Sequence, residues 1–253
     1  MVDTLDAPLN LDYIDTHCHI DLYQSPNEIL KKAHQSKIGV IAVTNIPSVF
    51  SHMMAFTDNQ EYAYPALGLH PELVAERGSE IELMWRLFDK TRFIGEVGLD
   101  YTTPHQTVRS HQRRVLGNIL EKCSDAGDKI LTIHSRRAAG DVVNAIGENF
   151  ASTVILHWYT GTQKILEQAI ANGYYFSINL AMVHSKKGKE IICAVPKDKI
   201  LTETDGPFVK SGQRASDPSD IVTIVAALSK LWDEDETVVK KRLIGNFDQC
   251  LNH

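Results

Sequence analysis

The sequence predicts a single (β/α)₈ barrel. Three observations carry that reading: apolar, β-branched runs of buried-strand length, helical patterns alternating with them, and a chain of 253 residues, where such barrels take ~250. The runs are Tyr13-Ile14, Ile38 to Val43, Ala63 to Leu67, Arg92 to Val97, Lys129 to Ile133, Thr153 to Leu156, Tyr174 to Ile178 and Lys199 to Leu201. An open doubly wound sheet uses the same alternation, but a closed barrel brings His17 and Asp205, from opposite ends of the chain, to one point more naturally. No linker is visible, so one domain is expected over residues 13–253, after an N-terminal extension over residues 1–12.

The first strand ends in Asp15-Thr16-His17-Cys18-His19. Side chains alternate along a strand, so His17 and His19 share a face and can reach one ion. Asp15 lies on that face too, where it is expected to orient an imidazole, while Cys18 points away as a packed thiol. The helix Pro26 to Gln35 has Ser25 as N-cap, Pro26 at its first position and Glu28 placed to complete a capping box. Further helical patterns cover Glu80 to Lys90, Arg109 to Ala126, Ala138 to Glu148, Thr162 to Asn172 and Lys186 to Ala194. Ser219 to Leu231 then reads as the closing barrel helix, and Glu234 to Phe247 as an additional one.

Active sites of such barrels sit at the C-terminal ends of the strands. His17 and His19 end strand one, Glu96 strand four, His134 strand five and His157 strand six, while Asp205 follows strand eight. Any one of these could be a satisfied core histidine or a capping acid. Six at the same end of successive strands are poorly explained as coincidence, and six ligands exceed what one tetrahedral ion uses. A site for two divalent ions is therefore expected, with His17, His19 and Asp205 on one, His134 and His157 on the other, and Glu96 bridging. Water held between the ions would be acidified to a hydroxide nucleophile, Asp205 accepting its proton. Glu203 sits one layer lower, where it could steer a ligand histidine or a substrate group. Histidine favours zinc or manganese over magnesium.

The balance of 26 basic against 32 acidic residues, a formal charge of −6, argues against a protein that coats nucleic acid non-specifically. The cations Arg136, Arg137, Lys186, Lys187, Lys189, Lys210 and Arg214 nevertheless follow strands five, seven and eight, where they could hold a phosphate backbone or merely solvate helix starts. Tyr101, Trp158, Tyr159 and Phe208 lie in the same loops and could stack on unpaired bases or pack as walls. Four cysteines without a CxxC spacing fit a reduced, cytoplasmic protein, and no leader or membrane span is visible.

Together the segments Asp15-Thr16-His17-Cys18-His19, Gly68-Leu69-His70-Pro71, Gly95-Glu96-Val97-Gly98-Leu99-Asp100, His134-Ser135-Arg136, His157-Trp158-Tyr159-Thr160-Gly161 and Glu203-Thr204-Asp205-Gly206-Pro207 resemble the TatD family of metal-dependent hydrolases, whose members are commonly deoxyribonucleases. The resemblance implies metal roles for His17, His19, Glu96, His134, His157 and Asp205, active-site roles for His70 and Glu203, and a DNA substrate, single-stranded or end-accessible. His70, Arg136, Lys186 and Lys187 are the expected substrate contacts. The family's Arg-Asn-x-Pro turn after strand eight is replaced here by Arg214-Ala215-Ser216-Asp217-Pro218. The phrases His134-Ser135-Arg136-Arg137-Ala138-Ala139, His157-Trp158-Tyr159 and Thr202-Glu203-Thr204-Asp205-Gly206-Pro207-Phe208 further resemble the TatD-type component of the bacterial Qat anti-phage system, which implies protein partners. Two other classes stay open: amide or ester hydrolysis, tRNA-linked esters included, and a metal-bound partner-binding subunit.

Overall fold

Eight parallel strands pair in chain order in the computed structural model, which describes residues 10–58 and 60–252. They are β1 (Tyr13–Cys18), β2 (Ile38–Val43), β3 (Ala63–Leu67), β4 (Phe93–Gly98), β5 (Ile130–His134), β6 (Thr153–His157), β7 (Tyr175–Ile178) and β8 (Ile200–Thr202). The helices are α1 (Pro26–Gln35), α2 (Phe50–Thr57), α3 (Val74–Arg77), α4 (Ile81–Leu87), α5 (Gln106–Ala126), α6 (Ala139–Ile146), α7 (Gln163–Ala171), α8 (Leu180–His184), α9 (Lys186–Ala194), α10 (Ile221–Trp232) and α11 (Glu236–Leu251). The short helices α2 and α8 were not expected from the sequence. Each is apolar enough to disappear beside its flanking strand, and α8 starts only where the Asn179 side chain caps Met182 N–H at 3.1 Å.

The two-residue period of the strands separates two apolar layers. Ile130, Ile155, Tyr175 and Leu201 belong to the inner cluster, which Phe247 and Leu251 of α11 and Leu11 of the N-terminal extension also join. Their alternates Leu131, Ile133, Leu156, Phe176 and Ile200 pack outward against the helices. Following the inner face upward gives Thr132 and His134 on β5, His157 on β6, Ser177 on β7 and Glu203 beyond β8. The barrel thus has an apolar floor and a polar mouth. Residues 1–9 of the extension lie outside the described residues.

β8 meets β1 through individual bonds. Thr16 Oγ1 donates to the Thr202 carbonyl at 3.0 Å, Asp205 N–H to the His17 carbonyl at 2.9 Å and His19 N–H to the Gly206 carbonyl at 2.8 Å. Asp15 belongs to this seam, which corrects the expectation that it orients an imidazole. Its carboxylate accepts the Thr204 hydroxyl and the Thr204 N–H, the latter at 2.9 Å, and complete burial pushes its pKa up to about 8 against those bonds. Cys18 is fully buried, as expected.

Ser25 is the N-cap of α1 and Pro26 follows it, but the Ser25 side chain makes no capping bond, so the expected box with Glu28 does not form. A full box forms instead at Asp217-Pro218-Ser219-Asp220, ahead of α10. This rebuilt turn includes the small hairpin of β9 (Lys210–Ser211) and β10 (Arg214–Ala215). Arg214 is tied bidentately to Asp220 at 2.7 and 2.9 Å, so it is spent on structure and not free to grip phosphate.

Asp220 is buried, which raises a carboxyl pKa, yet the Asp217 N–H and the Ser211, Arg214 and Ser216 side chains hold it below its ordinary 3.8. A depressed carboxyl contributes stability above its unfolded pKa and loses it as pH falls through the folded one. Asp220→Asn should therefore cost about 1–3 kcal/mol in urea unfolding at pH 7. The gap to wild type should narrow below pH 3.8. A gap independent of pH would remove the charge from the account.

Candidate metal centre

The mouth of the barrel gathers every predicted ligand around one carboxylate. Glu96 is 2% exposed, and its two oxygens face different partners. Oε2 lies 3.4 Å from His17 Nε2 and 3.3 Å from His19 Nε2. Oε1 lies 2.6 Å from His134 Nδ1, 3.1 Å from His157 Nε2 and 3.4 Å from His70 Nε2. Asp205 Oδ1 joins the first side, 3.6 Å from His19 Nε2 and 3.9 Å from His17 Nε2.

Local backbone makes this convergence possible. Glu96 N–H donates to the Thr44 carbonyl at 3.0 Å, and Gly68 sits so close that a Cβ there would overlap that carbonyl oxygen and the Glu96 nitrogen. Gly98, at φ +147, lies equally close to the His134 backbone. Trp158 at φ +37 and Asp205 at φ +48 adopt the left-handed conformation without being glycine, each at a strand-to-loop turn beside the site.

The second ring nitrogen of three of the imidazoles has its own neighbour. His17 Nδ1 bonds Thr132 Oγ1 at 2.6 Å, His134 Nε2 bonds Asp100 Oδ2 at 2.8 Å and His157 Nδ1 lies 3.5 Å from Glu203 Oε2. Glu203 is itself fixed by the Ser177 hydroxyl, by Asn179 Nδ2 at 2.9 Å and by Trp158 N–H at 3.1 Å. Asp100, Thr132, Ser177 and Asn179 were absent from the sequence-derived site. Asp100 alone had a visible signal, in the Gly98-Leu99-Asp100 run. The other three gain meaning only from which strand lies next to which.

Charge compensation runs through the whole cluster. Burial disfavours an ionised Glu96, but His70, His157 and His17 outweigh it and hold the carboxyl well below its usual range. Burial likewise opposes a charged His19, yet Asp205 and Glu96 raise its pKa to about 9. His157 is also raised, against burial, by Glu203 and Glu96. His17 moves down, because it is buried and stacks on His157 at 3.9 Å between ring centroids. Asp100 is held down to about 2, its burial outweighed by His134 and Thr102.

These residues fit divalent cations. Nε2 of His17 and Nε2 of His19 are buried without a hydrogen-bond partner and face the same Glu96 and Asp205 oxygens, an arrangement that a cation between them would satisfy. His17, His19 and Glu96 form one group of convergent ligand atoms, His70, Glu96 and His134 a second, and His17, His157 and Glu203 a third. Glu96 is shared by the first two.

A cavity of about 550 Å³ opens above the cluster, lined in part by Asn45, Arg136, Trp158, Thr160 and Phe208. Arg136 and His70, both expected to meet substrate, lie on it. Lys187 lines an adjoining cavity, and Lys186 borders neither. Phe208 is exposed and packs edge-on against His19. Two of the aromatics expected to be available for stacking are occupied: Tyr159 is fully buried, and Tyr101 is held between Asp141 and the Arg109 and Arg113 guanidiniums.

The two carboxylates after β8 sit differently, Asp205 bordering the open cavity and Glu203 fully buried beneath it. Asp205→Asn should lower the content of one cation in the purified protein, whereas Glu203→Gln should keep metal content and slow turnover by about 10- to 100-fold. Metal analysis with single-turnover kinetics checks both. Metal loss in Glu203→Gln alone would exchange the roles.

Known proteins share this architecture. The fold matches the crystal structure of YjjV, a TatD homologue of Escherichia coli K12, with a TM-score of 0.80 over 96% of this chain and 98% of that one at 21% identity. In sequence, the chain is 28% identical to the uncharacterized metal-dependent hydrolase YabD of Bacillus subtilis (strain 168) over 86% of this chain and 90% of that protein. It is 24% identical to the human deoxyribonuclease TATDN3 over 77% of each. The model of the TatD-related DNase family matches residues 14–252, so the chain belongs to the TatD family of metal-dependent hydrolases.

Proposed function

We propose that this chain is a two-metal nuclease that hydrolyses phosphodiester bonds in DNA. The observation that carries the reading is the division of Glu96, one oxygen facing His17 and His19 and the other facing His134 and His157, on the floor of an open cavity. His17, His19 and Asp205 would hold one cation, His134 and His157 the other, and Glu96 both. Zinc, manganese and magnesium are the candidates. Such ions supply Lewis acidity toward a phosphoryl oxygen and acidify water at neutral pH.

The protein's own groups do the rest. Asp205 borders the cavity and can accept a proton from attacking water at its carboxylate. Glu203, held by Ser177, Asn179 and Trp158 N–H, faces His157 Nδ1 and fixes that ring's orientation. Arg136 lies where it can pair with a phosphate, and Trp158 and Phe208 present rings at the mouth for an unpaired base, which favours single-stranded or end-accessible DNA. The related human protein that carries the name deoxyribonuclease supports the same substrate class.

Resemblance in the phrases around His134, His157 and Asp205 supports a finer reading, that the enzyme serves in a Qat-type anti-phage complex with protein partners. Its cysteines are unpaired, three of them buried, which suits the reducing cytoplasm.

The test is cleavage of single-stranded and duplex DNA, run beside a panel of esters and amides with each ion added back. Wild type should cut DNA. Glu96→Gln should fold but lose activity by about 100-fold or more, because a neutral amide cannot offset two cations. Ester or amide turnover without DNA cleavage would overturn the proposal.

A further inference from the structure

A second cavity, of about 300 Å³, adjoins the first, and Ser135 and Thr160 line both. Its only ionisable lining groups are cationic, Arg137 and Lys187. The consecutive residues Arg136 and Arg137 line different cavities, and Arg137 does so with φ +56, a left-handed conformation unfavourable for a side chain with a Cβ. Ser135 is 5% exposed and what it exposes faces the two cavities. Lys187 Nζ donates to the Thr160 carbonyl at 2.5 Å, which places the ammonium at the rim and leaves its other N–H groups to donate. Thr162 Oγ1 accepts from Ile165 N–H at 3.4 Å, so its hydroxyl hydrogen is free to point elsewhere. Ala139 and Gly140 open α6, which carries no side-chain cap, so the positive end of that helix faces the same space.

Donors and positive charge line this space, and no carboxylate does. We propose that the second cavity is a subsite for the phosphodiester neighbouring the one at the metal centre. A strand would then run from Glu96 past Ser135 and Thr160 to Arg137 and Lys187. This inference rests on the nuclease reading and adds to it a defined path for the flanking nucleotide.

The probes are fluorescently labelled thymidine mono-, di- and trinucleotides with phosphorothioate linkages that resist cleavage, beside inorganic phosphate as competitor. Binding to the purified protein is followed by anisotropy between 50 and 200 mM salt. Wild type should gain about 10-fold in affinity from mono- to dinucleotide. Arg137→Gln should lose most of that gain and show a log K against log salt slope shallower by about 0.7, while Arg137→Lys keeps both. Equal gain and equal slope in wild type and Arg137→Gln overturn the subsite and leave the nuclease reading standing. Failure of every oligonucleotide to bind overturns both. A length-independent affinity, with inorganic phosphate weakened by Arg137→Gln, marks a free-phosphate site and overturns the strand path.

Discussion

The buried Glu96 carboxylate sets the terms for everything at the mouth of the barrel. Moving one carboxylate out of water costs several kcal/mol even after relaxation. A single positive charge 3.3 Å away, the distance to His19 Nε2, returns about 5 kcal/mol at an effective dielectric of ~20. One cationic partner therefore roughly offsets the burial, and the imidazoles around both oxygens exceed it. Without a metal the cluster meets this demand with protons, which is why His19 and His157 rise while Glu96 falls. Protons can fill only part of it, because His17 stacked on a charged His157 is pushed the other way. Divalent cations meet the same demand without crowding like charges onto adjacent rings.

The positions of those rings are fixed by groups one step away, drawn from other strands. Thr132 on β5 holds His17 on β1, Asp100 after β4 holds His134 on β5, and Glu203 after β8 faces His157 on β6. Each contact crosses at least one strand boundary, so the geometry of the cluster depends on barrel closure. The Asp15–Thr204 bonds between β1 and the segment after β8 serve that closure directly. A carboxylate that the motif places beside the ligand histidines thus acts on the wall and not on a ring.

This division explains what the sequence could convey. Strands were legible because an apolar run with a turn signal marks its own element, and the histidine-carboxylate cluster was legible because such residues at strand ends are costly without a purpose. The apolar signal of β1 covers only Tyr13-Ile14, and its continuation through Thr16, His17 and Cys18, all buried, was legible from the alternation of His17 and His19. The roles of Thr132, Ser177 and Asn179 depend on neighbours far away in sequence, and nothing at those positions announces them. Ser25 failed as a capping side chain because capping depends on a rotamer that spacing does not determine. Arg214 looked available for phosphate because Asp220 lies six residues on, outside any helical or strand pairing rule, and only the hairpin brings them together.

Charge placement gives the last constraint. A protein of net charge −6 repels a polyanion over most of its surface, so attraction has to be local. Several cations that look available are spent within the fold: Arg214 on Asp220, Lys197 and Arg242 on Glu234, and Lys240 on Asp12. Arg136, Arg137 and Lys187 remain around the two cavities, together with whatever charge the histidine-carboxylate cluster binds. For the proposed substrate, metal occupancy and strand binding are then coupled through one electrostatic site, because two divalent ions add four positive charges where the rim supplies few. On the proposed function, that coupling would make the mouth of the barrel, and not the acidic surface around it, the place where a strand settles.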